Sequence, residues 1–416
     1  MKPPKLGLKE NIAWNSSGSL IYLIFQWLIT YLVVILLGFT DAGIFTLALS
    51  ISGIAFAVAL YGVRGYQVSD ISREYSDKTY VLARTTTSVL ALGGALVYLA
   101  ISAYSLYAAL CIVAYLIFKI SESYADVYHG IFQRDGRMDI IGKSFILRGV
   151  VSNSLAIACM AITHQLLISI CVLAFTSWVL IFLYDRNKVG DFYEKSNVTS
   201  VRNIFDLLIA CAPLAIYALL SSFFMYIPRI SLENIMGSET LGIYASIAIP
   251  AVIIQVVSGY IFSPLLTIFA EHVSEGNFKL FRKLLIKTFT VIVALSMIVI
   301  VGGVIFGEQG LVLLFGEKIR EFSYLFTPIL FLSSLTALSW FIGLMLTVLR
   351  ELRGLIVSSV VAALICLLFS GSFINSFGAN GASFVLIVAL IVQLGLMGIF
   401  MLMKVRHIKS LPTVAY

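Results

Sequence analysis

The sequence predicts an all-α polytopic membrane protein with twelve transmembrane helices and both termini in the cytoplasm. Three observations carry this. Of the 416 residues, 60% are hydrophobic and only 12% charged, about half the charged share of a soluble globular chain. Apolar runs of about 20 residues, each enough for a helix to cross roughly 30 Å of hydrocarbon, recur along the whole length. The cations alternate: twenty-four of the 28 Lys and Arg fall at the N-terminus, in every second connection or at the C-terminus, and only Lys318 and Arg320 on the other side. Lys119 and Arg229 stand inside spans. By the positive-inside rule the cation-rich side is cytoplasmic, so the net charge of +7 is a topology signal with no claim on nucleic acid.

In chain order, the basic start MKPPKLGLKEN leads into a first span at 14–37, too long for a signal peptide and read as an uncleaved helix. Further spans are expected at 41–62, 85–104, 106–129, 144–163, 166–184, 205–236, 240–263, 287–306, 325–348, 354–375 and 380–403. The longest inner connection, Asp185 to Asn203, divides an N-terminal lobe, 1–190, from a C-terminal lobe, 191–416. Outer connections are short, except Gly307 to Tyr324, whose Leu-Val-Leu-Leu-Phe core suggests a turn lying on the membrane surface. Cys111, Cys159, Cys171, Cys211 and Cys366 all fall within apolar spans, with neither metal spacing nor a disulfide framework.

The chain reads as duplicated. Gly38-Phe39-Thr40-Asp41-Ala42-Gly43 followed by Ile44-Phe45 has the grammar of Gly237 to Gly242 followed by Ile243-Tyr244. Further on, Leu82 to Thr87 is echoed by Leu285 to Thr290. Superposing the glycine turns sets Arg229 over Thr30 and Glu233 over Val34, inside an apolar span. A charge near the bilayer centre costs roughly 3 kcal/mol even on a lenient scale, so such residues face a wet cavity or the bundle interior. If the seventh span instead ended at Pro228, both would belong to an outer loop.

The fourth span carries a polar stripe. Tyr115, Lys119, Glu122, Asp126, His129 and Gln133 recur at steps of four and three, which at roughly 100° per residue keeps them on one face. Such a face suits a helix lining a water-filled vestibule, or one whose inner end enters the headgroups, with His129 and Gln133 outside and Asp126 at the interface. Glu122 and Asp126, like charges one turn apart, favour partial protonation and are ion-coupling candidates, as is Glu233. Ser222 and Tyr226 extend the face of Arg229, offering donors to a phosphate or hydroxyl. Arg148, a turn inside the fifth span, could snorkel to the headgroups or join the cationic set. Gln26, Gln255 and Gln393 are single polar residues that face a cavity or tie helices together. Pro213, Pro250 and Pro328 are expected to kink helices. The histidines, His129, His164, His272 and His407, are scattered, and no Ser-His-Asp grouping, phosphate loop or Cys/His metal spacing can be assembled. No catalytic residue is expected, and no enzyme activity.

The first helix from Glu10-Asn11 to Ser19, the Gly-Ser-Glu-Thr-Leu-Gly-Ile-Tyr turn at 237–244, the run HGIFQRDGRMD from His129, Leu314-Phe315-Gly316, and Leu349-Arg350-Glu351-Leu352-Arg353 together resemble the polysaccharide flippases of the multidrug/oligosaccharidyl-lipid/polysaccharide exporter (MOP) superfamily. The resemblance implies two six-helix lobes in a V around a central cationic cavity, working by alternating access on a proton or sodium gradient, with no other cofactor. The implied substrate is an undecaprenyl-pyrophosphate-linked oligosaccharide repeat unit moved from the inner to the outer leaflet of the bacterial cytoplasmic membrane. Other implied partners are membrane lipids, a polymerase and further polysaccharide-assembly proteins. Arg229 and Lys119 would attract the pyrophosphate. The chain departs from the family pattern at Pro228, where relatives often carry an acidic residue. A multidrug exporter of the same superfamily is the nearest alternative. A polysaccharide polymerase would resemble chains with a large outer loop, and a major-facilitator transporter would show Gly-x-x-x-Asp-Arg after its second span.

Overall fold

The computed structural model describes residues 7–70, 73–190, 192, 200–262 and 265–410. Among them the regular structure is helical throughout, with no strand. This follows from the solvent: hydrocarbon offers backbone groups no partner, so each segment must satisfy its own. Eleven helices are long and apolar enough to span a membrane.

The chain forms two compact units, 1–222 and 223–416; the second begins within a long helix. The first unit starts with α1 (Leu8–Leu37), α2 (Phe39–Leu60) and the short α3 (Val63–Ser69). Then come α4 (Asp77–Ile101), capped by Ser76, and α5 (Leu106–Arg134), capped by Ser105; each cap hydroxyl accepts from an orphan N–H of the first turn. The unit continues with α6 (Met138–Thr163) and α7 (Leu166–Val189). Helix α1 packs on α6, α2 on α4 and α5, and α5 on α7. Small polar residues let these helices approach: Ser88 bonds Ser123 at 3.1 Å and Ser121 bonds Ser177 at 2.8 Å. Where α1 crosses α6 the glycines leave no room for more; a Cβ on Gly142 would strike the Trp14 carbonyl, and one on Gly18 the Gly142 carbonyl.

Helix α8 (Val201–Ala251) runs from the first unit into the second. Its later part is followed by α9 (Ile253–Phe262), α10 (Leu266–Ser274), α11 (Phe278–Phe315), a 3-10 segment Glu317–Leu325, then α12 (Phe326–Val348), α13 (Leu352–Phe377) and α14 (Asn380–Ser410). Helix α14 packs on α12 and α13, and α11 on α12.

Several boundaries differ from the sequence reading. The two glycine turns shrink to single residues. Gly38 (φ 87°, ψ −179°) and Gly237 (φ 82°, ψ 169°) share one backbone conformation, and helix resumes at the next residue in each case. The Gly38 N–H bonds Val34 O and its carbonyl accepts from Ala42, so one residue closes one helix and opens the next. Gly316 (φ 84°, ψ 177°) repeats this geometry. The expected surface turn at 307–324 is helix as far as Phe315, so its apolar core extends α11. Helix α8 passes through Pro213 and Pro228 without ending, which removes the outer-loop alternative for Arg229 and Glu233. Pro328 lies in the first turn of α12, where a missing N–H costs nothing. Most of the 185–203 connection lies outside the described residues.

Candidate functional site

Helix α5 carries its polar stripe as three separate clusters. Nearest its middle, Lys119 Nζ pairs with Glu122 Oε2 at 2.5 Å. The ammonium also stands over the rings of Phe56 at 5.1 Å and Phe118 at 5.4 Å, a cation held by aromatic faces in a dry setting. The other Glu122 oxygen accepts from the Tyr22 hydroxyl of α1. Gln26, one turn further along α1, donates to Tyr22 and to Asn153, both at 3.2 Å.

Asn153 closes this network at an irregularity in α6. Residues Arg148–Ser152 form a π-helical turn, a widening that frees carbonyls and recurs at functional positions. Asn153 Nδ2 donates to the carbonyls of Arg148 (3.3 Å) and Gly149 (3.2 Å). Gly149 lies against the α1 backbone at Tyr22, where a Cβ would stand 3.1 Å from the Tyr22 Cα. The close approach sets the Arg148 guanidinium over the rings of Tyr22 (5.5 Å) and Phe145 (5.3 Å). Arg148 is 4% exposed, so the snorkelling alternative does not hold. Its Nε has no hydrogen-bond partner, and no carboxylate pairs with it among the described residues.

One turn along α5, Asp126 is clamped by two guanidiniums, Arg64 at 3.1 Å and Arg84 at 2.8 Å. Arg84 is fully buried and also donates to the Ala59 carbonyl, while Arg64 reaches Gln133 at 2.9 Å. Next, His129 Nε2 lies 3.2 Å from Ser144 Oγ and 3.3 Å from Asp185 Oδ1, and Ser144 donates to Asp185 Oδ2 at 3.0 Å. The residue types are those of a nucleophilic triad, but one imidazole nitrogen meets both partners and the serine already donates to the carboxylate. A proton relay needs the two ring nitrogens on different partners, so this cluster ties α5, α6 and α7 together.

In the second unit, Tyr226, Arg229 and Glu233 are half-buried on α8. Arg229 is eight residues before Gly237, roughly 12 Å along the helix. Glu233 accepts from Ser238 at 3.1 Å, and no ion pair joins it to Arg229 among the described residues. Ser222, half-buried, ends the first unit. Thus Lys119, Glu122 and Arg148 share one network, Asp126 belongs to its own clamp, and Arg229, Tyr226 and Glu233 stand on another unit. The sequence reading missed Tyr22 and the inward use of Arg64, Arg84 and Asp185. Gln26 was visible as a lone polar residue. Arg84 had a signal of its own, since it lies eight residues into a helix that opens at Ser76.

Residues 8–271 match a family model described as polysaccharide biosynthesis protein. The chain belongs to that family. It is similar to the capsular polysaccharide biosynthesis protein CapF of Staphylococcus aureus, at 27% identity over 300 residues, covering 70% of this chain and 73% of CapF. Its fold is that of the MOP superfamily. An inward-facing multidrug resistance MATE family transporter superposes with a TM-score of 0.71 at 14% identity, over 97% of this chain and 100% of that one. The lipid II flippase MurJ in an inward closed conformation gives 0.69 at 10%, over 97% and 94%. This member of the polysaccharide biosynthesis family is therefore a multi-pass membrane protein, and the solved structures that share its fold are a multidrug transporter and a lipid II flippase.

Proposed function

We propose that this protein is a flippase: it carries undecaprenyl-pyrophosphate-linked oligosaccharide repeat units from the inner to the outer leaflet of the bacterial cytoplasmic membrane, driven by a proton or sodium gradient. The observation that carries the reading is Arg148, a buried cation with no ion-paired carboxylate among the described residues, beside the Lys119–Glu122 pair. A pyrophosphate cannot enter hydrocarbon alone, whereas a polyprenyl tail stays in lipid; what the protein must supply is fixed positive charge inside the membrane. Arg148 supplies a planar fork suited to phosphate oxygens, with Lys119 as a second cation that Glu122 releases or holds. Arg229, with Tyr226 and Ser222 on its helix, offers donors from α8. Glu122, Asp126 and Glu233 are the carboxylates available for ion coupling.

Twelve spans in two six-helix lobes, with both ends cytoplasmic, belong to the same reading. The 59-residue apolar stretch Val201–Gly259, α8 with most of α9, would be roughly 88 Å long if straight, and the non-helical Gly237 divides it. A polymerase acting on the outer face would take the product.

The test is transport by the purified protein in liposomes carrying a fluorescent polyprenyl-pyrophosphate oligosaccharide, read by loss of signal to a membrane-impermeant quencher. Arg148→Ala and Lys119→Ala should each slow flipping about tenfold or more, the equivalent of one charged hydrogen bond, while Arg148→Lys keeps part of the rate. Undiminished flipping in both alanine variants at normal folding would defeat the reading, as would transport of cationic drugs in place of the glycolipid.

A further inference from the structure

A crevice of about 700 Å³ opens on the first unit between α4, α5 and α7, away from the Lys119–Arg148 network. Its walls include Val81, Tyr124, Tyr128, Trp178, Phe182 and Arg186. Tyr124 and Trp178 lie 5.4 Å apart and tilted, Trp178 and Phe182 stack at 5.7 Å, and the Arg186 guanidinium lies 5.6 Å from the Phe182 centroid. Aromatic residues near a membrane surface ordinarily anchor by pointing polar ends at the headgroups. Here they do the opposite. Trp178 Nε1 donates to the Ile117 carbonyl at 3.2 Å and the Tyr124 hydroxyl to Thr85 Oγ1 at 3.0 Å, so the polar ends are engaged by protein and the ring faces wall the crevice.

At one end stands a guanidinium. Arg186 is exposed and has no carboxylate partner among the described residues; its neighbour Asp185 faces the other way, onto His129 and Ser144. Tyr128 and Arg186 line the same crevice. From Trp178 to Arg186 is eight residues, the last six π-helical, so the stretch is at most about 12 Å along the axis, within one leaflet's depth of hydrocarbon. By the cation asymmetry, the Arg186 end lies at the cytoplasmic headgroups.

We infer that this crevice is a binding site for an anionic phospholipid of the inner leaflet, with the phosphate on Arg186 and Tyr128 and one acyl chain laid along Phe182, Trp178 and Tyr124. A single phosphodiester matches a single guanidinium fork, and the apolar walls take the chain. The occupant is structural lipid, distinct from the transported glycolipid.

The experiment uses full-length protein in phosphatidylcholine nanodiscs with Trp14, Trp27 and Trp340 changed to Phe, leaving Trp178 as the fluorophore of the four tryptophans. Brominated phosphatidylglycerol should quench Trp178 at a mole fraction about tenfold below brominated phosphatidylcholine. Arg186→Gln should abolish that preference, Arg186→Lys should retain part of it, and Lys188→Gln should leave it intact. Equal quenching by the two lipids, or a preference that survives Arg186→Gln, would overturn the inference. So would displacement of the quencher by undecaprenyl phosphate at lower mole fraction than by unbrominated phosphatidylglycerol, which would give the crevice to an isoprenoid chain.

Discussion

Asp126→Asn tests whether the carboxylate of the α5 stripe is a structural counter-ion. In the native protein it answers two guanidiniums, Arg84 at 2.8 Å and Arg64 at 3.1 Å. Arg64 is 29% exposed in its side chain and can turn to solvent, but Arg84 is fully buried and its Nε already lacks a partner. Stripping one partner from a buried pair costs about 3–5 kcal/mol, because the remaining charge is left uncompensated. With Arg64 free to relax, the lower figure applies, and at about 2–4 °C per kcal/mol for a unit of this size the midpoint should fall by roughly 6–12 °C. The assay is thermal unfolding of purified variants in detergent. Arg84→Met added to Asp126→Asn should recover more than half of the loss, since apolar replacement of a buried pair is often neutral. A midpoint unchanged in Asp126→Asn, or a double variant no better than the single, would refute the clamp. Loss of ion-coupled transport without loss of stability would instead assign Asp126 to coupling.

Other outcomes follow from the same structure. Gly237→Ala has open space for its Cβ, yet φ 82° with ψ 169° is a region essentially reserved for glycine, so the variant should lose roughly 1–3 kcal/mol in a thermal melt, and Gly38→Ala likewise. Gly142→Leu should separate α1 from α6, and because the same crossing brings Tyr22 to Arg148, flipping should fall along with melting temperature. Asp70, in the loop before α4, is opposed by burial, but N–H donors of Glu74 and Tyr75, the Tyr80 hydroxyl and the Arg134 charge outweigh it and hold its carboxyl below the usual 3.8. Its stabilising share is therefore present above pH 3.8 and lost as pH falls through the lower folded value. Melting curves of wild type and Asp70→Asn should differ at neutral pH and converge in acid; a gap independent of pH would sink this reading.

What the sequence reveals tracks periodicity. The α5 stripe is legible because 3.6 residues per turn convert spacing into a face, and Lys119, Glu122, Asp126, His129 and Gln133 all find polar partners. The glycine turns are legible because so few residues tolerate their conformation, though a single φ/ψ state does what looks like a six-residue loop. Arg148 stays open between snorkelling and the cationic set because a π-helical turn leaves no mark in hydropathy; in the structure it begins that turn and lies over the Tyr22 ring of α1. Arg64 and Arg84 enter the topology reading as inner-side cations, yet hydropathy cannot tell a cation in the headgroups from one folded back onto a carboxylate of α5, as both are on Asp126. The 307–315 stretch misleads for the opposite reason: Glu308 interrupts an apolar run, yet the helix continues through Leu311–Phe315, and Glu308 pairs with Arg320 at 2.9 Å.

The charges of the first unit narrow the choice of phosphate ligand. Asp126 serves Arg64 and Arg84, Asp77 serves Arg134, Asp139 serves Arg137 and Lys143, Asp135 serves Arg73, and Glu122 serves Lys119. A phosphate approaching any of these cations must displace a carboxylate that already solvates it, and gains only the difference. Arg148 has two aromatic faces in that place, which stabilise a cation by a fraction of what an anion gives. Among the described buried cations it is one that an incoming phosphate can meet without breaking a direct ion pair. A residue so exposed to electrostatic gain, held by a glycine contact, a π-helical turn and an asparagine that repairs the turn, has its position fixed by three separate features of the sequence.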